Sequence, residues 1–148
     1  MQILVFLGFL MLIVLSLKGK LWAYIATIVL GSLYFPASVG FQLNIKTCEV
    51  FFDLPLAIYS LTNYKHIILF AIFFLMTRRQ VKKSGWVSFG WGALGTLLFA
   101  LIIELLQGWT GDGHCRMRDL VPDFAGVLLG QMTYSLWTTI KRTKQRRI

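Results

Sequence analysis

Long apolar runs separated by short polar knots set the pattern of this chain. A membrane helix needs about 20 mostly apolar residues, and the runs predict helices at 1–17, 21–39, 62–80, 86–107 and 120–140. The first lacks a basic leader and an Ala-x-Ala-like site, and Lys18 and Lys20 follow it, so it reads as a helix rather than a targeting segment. Pro36 closes the second near its far end. Between Gly40 and Leu61, Lys46, Glu49, Asp53 and Pro55 interrupt the apolar pattern. That stretch reads as an outer loop, with Val50 to Leu61 lying on the bilayer surface as an amphipathic piece. The third helix begins near Thr62 and ends in basic residues, with Arg78 and Arg79 snorkelling.

Composition turns this pattern into a membrane reading. Hydrophobic residues make up 57%, charged residues 14%, and mean hydropathy is +0.69. A soluble chain of 148 residues cannot bury that much apolar surface. The expected fold is an all-α, polytopic transmembrane bundle of about five helices, forming one integral membrane domain over 1–148. Trp22, Trp86, Trp109 and Trp137 fall near predicted helix ends, where aromatic residues gather at membrane interfaces.

The net charge of +9 at first suggests nucleic acid, but its distribution argues otherwise. Eleven of the fifteen basic residues fall in three groups at the ends of apolar runs: 18–20, 78–83 and 141–147. That is the positive-inside pattern of cytoplasmic loops. It places the N-terminus outside and the C-terminus in the cytoplasm, with membrane lipids rather than nucleic acid as partners. All six acids, Glu49, Asp53, Glu104, Asp112, Asp119 and Asp123, then collect on the outer side.

The candidate chemistry lies on that acidic side. Glu104 and Gln107, three apart, share a helix face. Glu104 sits about a turn inside the membrane, where a carboxylate is either functional or a structural packing lock. His66 heads the third helix at the same depth and could act as acid or base beside a carboxylate, or simply hydrogen-bond a neighbour. Asp119 and Asp123 are expected on the first turn of the last helix, with Pro122 between them and Asp119 as a cap. Arg116 and Arg118 could grip an anionic headgroup or pair with Asp119, Asp123 or Glu104. Gly126 and Gly130 form a Gly-x-x-x-Gly packing face.

Cys48 and Cys115 both fall in outer loops, which suggests a disulfide between them. His114 beside Cys115 could instead join Cys48 in a metal site, but the spacing is not that of a metal motif. No metal or other cofactor is expected. The sequence has neither a Gly-x-Ser-x-Gly elbow nor a phosphate-binding Gly loop.

From His66 to about Gly130 the chain resembles the VanZ-like family of membrane proteins. His66 at a helix head, Glu104-x-x-Gln107, Asp119, Gly126 and Gly130 match that family's pattern in order and spacing. Thr62-Asn63 stand where the family has Asp-Lys, Asp123 replaces its usual Asn, and the loop arginine is Arg116 or Arg118. The resemblance implies a VanZ-like core over about 62–140. It also implies a link to the cell envelope or to glycopeptide, teicoplanin-type resistance.

Three functional readings follow. The cluster of His66, Glu104, Gln107, Arg116, Arg118, Asp119 and Asp123 binds a polar or anionic headgroup, such as that of a lipid-linked envelope precursor. Alternatively, the chain is a small accessory subunit bound to other membrane subunits. The third reading is a membrane-embedded acid/base enzyme acting on a lipid-linked substrate. All three place the protein in a bacterial inner or plasma membrane as a multi-pass chain.

Overall fold

The computed structural model describes residues 2–42, 45–51, 53–83, 85–111 and 115–145. It is all-helical: α1 Gln2–Leu17, α2 Leu21–Ser38, α3 Leu54–Ser60, α4 Tyr64–Gln80, α5 Gly85–Thr110 and α6 Leu120–Gln145, with a 3₁₀ turn at Met117–Asp119 before α6. Among the described residues the only strand-like pairing is a single parallel bridge between Glu49 and Arg116.

Glycine makes the first turn possible. Gly19 adopts φ 84°, and Lys20 N–H reaches back to the Leu15 carbonyl at 3.1 Å, which ends α1 and starts α2 two residues later. Pro36 does not close α2 as expected. The helix carries it internally and runs on to Ser38, and the Phe41 amide bonds the Pro36 carbonyl at 2.7 Å. Of the stretch expected to lie on the bilayer surface, only α3 is helical, with Ala57 and Ser60 buried. It meets α4 at 71°.

Helix α4 is the hub, packing most extensively on α6 and then α5, and also touching α1 and α2. The α4–α6 seam is set by the two predicted glycines. A Cβ on Gly126 would lie 2.6 Å from the Ile67 carbonyl, and one on Gly130 would lie 2.8 Å from that of Ala71. Backbone therefore meets backbone there, as a Gly-x-x-x-Gly face permits. Toward α2 and α5 the contacts are aromatic: Phe73 stacks on Phe99 at 4.3 Å, and Tyr24 lies 5.8 Å from Phe73. Buried hydroxyls on Thr27, Thr77 and Thr96 bond carbonyls one turn back in their own helices.

Helix α5 is long and apolar enough to cross a membrane by itself, and α3 with α4 would qualify together but for their bend. Helix α6 runs past its predicted end through Lys141, Arg142 and Lys144. Arg78, expected to snorkel outward, is instead buried among α4, α5 and α6.

Candidate functional site

The acidic side of the bundle is organised by one covalent link. Cys48 and Cys115 form a disulfide, 67 residues apart in sequence, which closes the segment after α2 onto the segment after α5. Gly108 is its seat, since a Cβ there would lie 2.9 Å from Cys48 Sγ and 3.1 Å from Cys115 Cβ. Backbone bonds extend the clamp. Lys46 N–H donates to the Gly108 carbonyl at 2.8 Å, Glu49 N–H to Cys115 at 2.9 Å, and Met117 N–H to Glu49 at 3.1 Å. Lys46 Nζ caps the end of α5 at the Gly111 carbonyl, 2.8 Å away. Ser60 Oγ donates to the Arg118 carbonyl at 3.2 Å and ties α3 to the same lid.

This lid changes the partners of the arginines. Arg116 Nε lies 3.2 Å from Glu49 Oε2 and Arg118 Nη1 lies 3.5 Å from Glu49 Oε1. Neither arginine side chain pairs with Asp119, Asp123 or Glu104, the partners expected from sequence. The disulfide brings Glu49, next to Cys48, alongside Arg116, next to Cys115.

Beneath the lid lie the acids of α5 and α6. Glu104 is 1% exposed, and its Oε2 accepts the backbone N–H of Arg116 at 2.8 Å. Arg116 thus serves the glutamate through its main chain while its side chain serves Glu49. On the neighbouring seam, His66 Nδ1 meets Asp123 Oδ1 at 2.9 Å. Asp123 is 1% exposed, and its Oδ2 is buried with no hydrogen-bond partner. The ring of His66 is a quarter exposed and lies 6.1 Å from Phe70. Among the described residues this histidine makes no hydrogen bond or ion pair with Glu104 or Asp119.

Of the predicted cluster, His66 and Asp123 touch, and Glu104 and Asp119 lie within electrostatic reach of them. Arg116 joins by its amide, while the Arg118 side chain turns away to Glu49. Gln107 is half-buried, and its carbonyl accepts the Gly111 amide at 2.9 Å. Asp119 closes the 3₁₀ turn instead of sharing the first turn of α6 with Asp123. His114 and Asp112 lie outside the described residues. Among the described residues no three His, Cys, Asp or Glu side chains converge as a metal-binding set.

Sequence reasoning passed over Glu49, Lys46 and Gly108. Glu49 could have been found as the acid beside Cys48 once the disulfide was drawn, because closing Cys48 onto Cys115 also sets Glu49 against Arg116.

What the site offers is a buried carboxylate pair, a histidine whose Nε2 makes no hydrogen bond among the described residues, and a lid held by a covalent bond. In comparisons with protein-family models, curated proteins and solved structures, no match to this chain is found.

Proposed function

We propose that this chain is a polytopic, VanZ-like membrane protein of a bacterial inner or plasma membrane, with its N-terminus outside and its basic C-terminus in the cytoplasm. Its outer cluster binds the polar headgroup of a lipid-linked envelope component. The membrane reading is supported by an inverted distribution of polarity. Phe6, Met11, Leu136 and Ile140 are each more than 60% exposed, while Glu104, Asp123, Thr96 and Ser16 are among the most completely buried side chains. Lipid would cover the former, and helix packing encloses the latter. On this reading α1, α2, α4, α5 and α6 are the five spans.

The observation that carries the site is the His66–Asp123 contact at 2.9 Å, with buried Glu104 on the adjacent helix, under a disulfide-held lid. Glu104 has a backbone amide but no cationic side chain, and one oxygen of Asp123 has no partner, which leaves hydrogen-bonding capacity for a ligand. With Arg116 and Arg118 committed to Glu49, neither arginine side chain pairs with Glu104 or Asp123, and His66 is the one cationic-capable side chain in contact with these acids. This favours a hydrogen-bond-donating headgroup, such as sugar hydroxyls or an amine, over a phosphate. The family resemblance connects such binding to teicoplanin-type resistance.

The test is complementation in a teicoplanin-challenged bacterial host. Glu104→Gln, His66→Ala and Asp123→Asn should each abolish the protein's effect while membrane accumulation stays at wild-type level. Wild-type behaviour of all three would make the cluster structural.

The same dyad favours one second reading, an acid/base enzyme. His66, oriented through Nδ1 by Asp123, leaves Nε2 to take a proton from a substrate hydroxyl. Turnover of a lipid-linked substrate that is lost in His66→Gln would support it, and binding without turnover would return the protein to the first reading.

A further inference from the structure

The opposite end of the bundle holds a charge that the outer cluster does not explain. Arg78, in the last turn of α4, is only 7% exposed. Helix α5 approaches it at Gly92, where an added Cβ would lie 3.4 Å from Arg78 Cβ. Helix α6 supplies Gln131, whose Oε1 accepts a hydrogen bond from Nη1, and Tyr134, whose ring centroid lies 3.8 Å from Cζ. Ser88, one turn from Gly92 on the same face of α5, is also buried. Nε is buried and has no hydrogen-bond partner. The aromatic face and one neutral amide offset only part of the cost of taking the guanidinium out of water.

Among the described residues no acidic side chain pairs with Arg78. Gln131 is eight residues beyond Asp123, roughly 12 Å along α6, and Gly92 is twelve residues before Glu104, roughly 18 Å along α5. Asp119 precedes α6, Glu49 is held by the lid, and Asp53 flanks α3. The charged residues next to Arg78 in sequence are all basic: Arg79, Lys82 and Lys83, each exposed.

We propose that the slot around Arg78, between α4, α5 and α6, is a binding site for a phosphoryl group of net negative charge, one without the ammonium that neutralises a phosphatidylcholine headgroup. An anionic lipid of the adjoining leaflet or a free phosphate would supply it. A guanidinium fork matches phosphate geometry. Lys82 and Lys83, on the segment leaving α4, neutralise the remaining charge. Basic pockets between membrane helices take anionic headgroups in this way.

The test uses the full-length protein in phosphatidylcholine nanodiscs with or without phosphatidylglycerol, counting retained lipid by native mass spectrometry. Wild type should retain phosphatidylglycerol about tenfold over phosphatidylcholine. Arg78→Gln should lose that preference. Arg79→Gln removes the same charge from an exposed position and should keep it. Equal losses in the two variants would mean diffuse surface attraction and overturn the site.

A second arm adds inorganic phosphate to protein in detergent and so tests the slot independently of any bilayer. Thermal stabilisation of wild type but not of Arg78→Gln, without lipid preference in the discs, identifies free phosphate as the source. Neither lipid preference nor phosphate response overturns the proposal. Should Arg78→Gln fail to accumulate, the double variant Lys82→Gln/Lys83→Gln should lower the lipid preference about fivefold, and an unchanged preference would count against the slot.

Discussion

At the acidic end Asp123 meets His66 at 2.9 Å and Glu104 accepts the Arg116 amide at 2.8 Å, whereas at the basic end Arg78 is buried with a glutamine and a tyrosine and, among the described residues, no carboxylate. Both ends hide charge within the same three helices. The acidic end matches its charges with groups of the chain itself, brought from distant sequence by a covalent clamp. The basic end answers with an aromatic face and a neutral amide. The difference shows that burial alone does not define a site. Among the described residues the acidic end is closed except for one orphaned oxygen and one ring edge, while the basic end is short of a whole counter-charge.

The largest expected effect comes from cutting the clamp. Cys48→Ser should destabilise the protein by up to about 4 kcal/mol in the chain-entropy account, because the bond spans 67 residues. The loss should also appear as protease sensitivity of the acidic end. Unfolding by SDS titration with and without reductant measures it, and equal curves would show that the clamp adds nothing.

Next is the seam common to both ends. Gly126→Ala places a methyl 2.6 Å from the Ile67 carbonyl and should cost about 3 kcal/mol. Because α4 carries both His66 and Arg78, the seam variant should weaken both ends together in the same titration. An effect confined to one end would separate them.

His66→Ala leaves Asp123 buried without its partner and should cost about 2 kcal/mol. Asp123→Asn retains a hydrogen-bonding group and should cost less. If His66→Ala proves neutral, solvent already satisfies Asp123.

The smallest effect is expected at Glu49, half exposed beside Arg116 and Arg118. Glu49→Gln should change stability by less than about 1 kcal/mol. It would free both guanidinium groups, so a gain in binding of anionic headgroups at the acidic end would sharpen the contrast between the two ends.

Much of this architecture was legible in the sequence. Each predicted helix lies within a few residues of an observed one, because apolar run length is a strong signal. The Gly126–Gly130 seam and the Cys48–Cys115 link could be read from spacing and from the side on which charges fall. Pairings between loops could not. Arg116 and Arg118 choose Glu49 over nearer acids because the disulfide fixes a backbone register that no local pattern encodes. Arg78 was misread for a related reason. A basic residue at the end of an apolar run looks like an anchor, and only the close approach of α5 at Gly92, with Gln131 and Tyr134 on α6, encloses it.

Under the proposed five-span topology, the clamp has one more consequence. Cys48 precedes α4 and Cys115 follows α5, so in that topology the chain between them crosses once and comes back, which returns the two thiols to one side. Chains in which either helix stayed outside the membrane would strand the two thiols in different compartments. The Cys48–Cys115 bond is therefore a parity check on insertion: its oxidation records that an even number of crossings lies between the two cysteines.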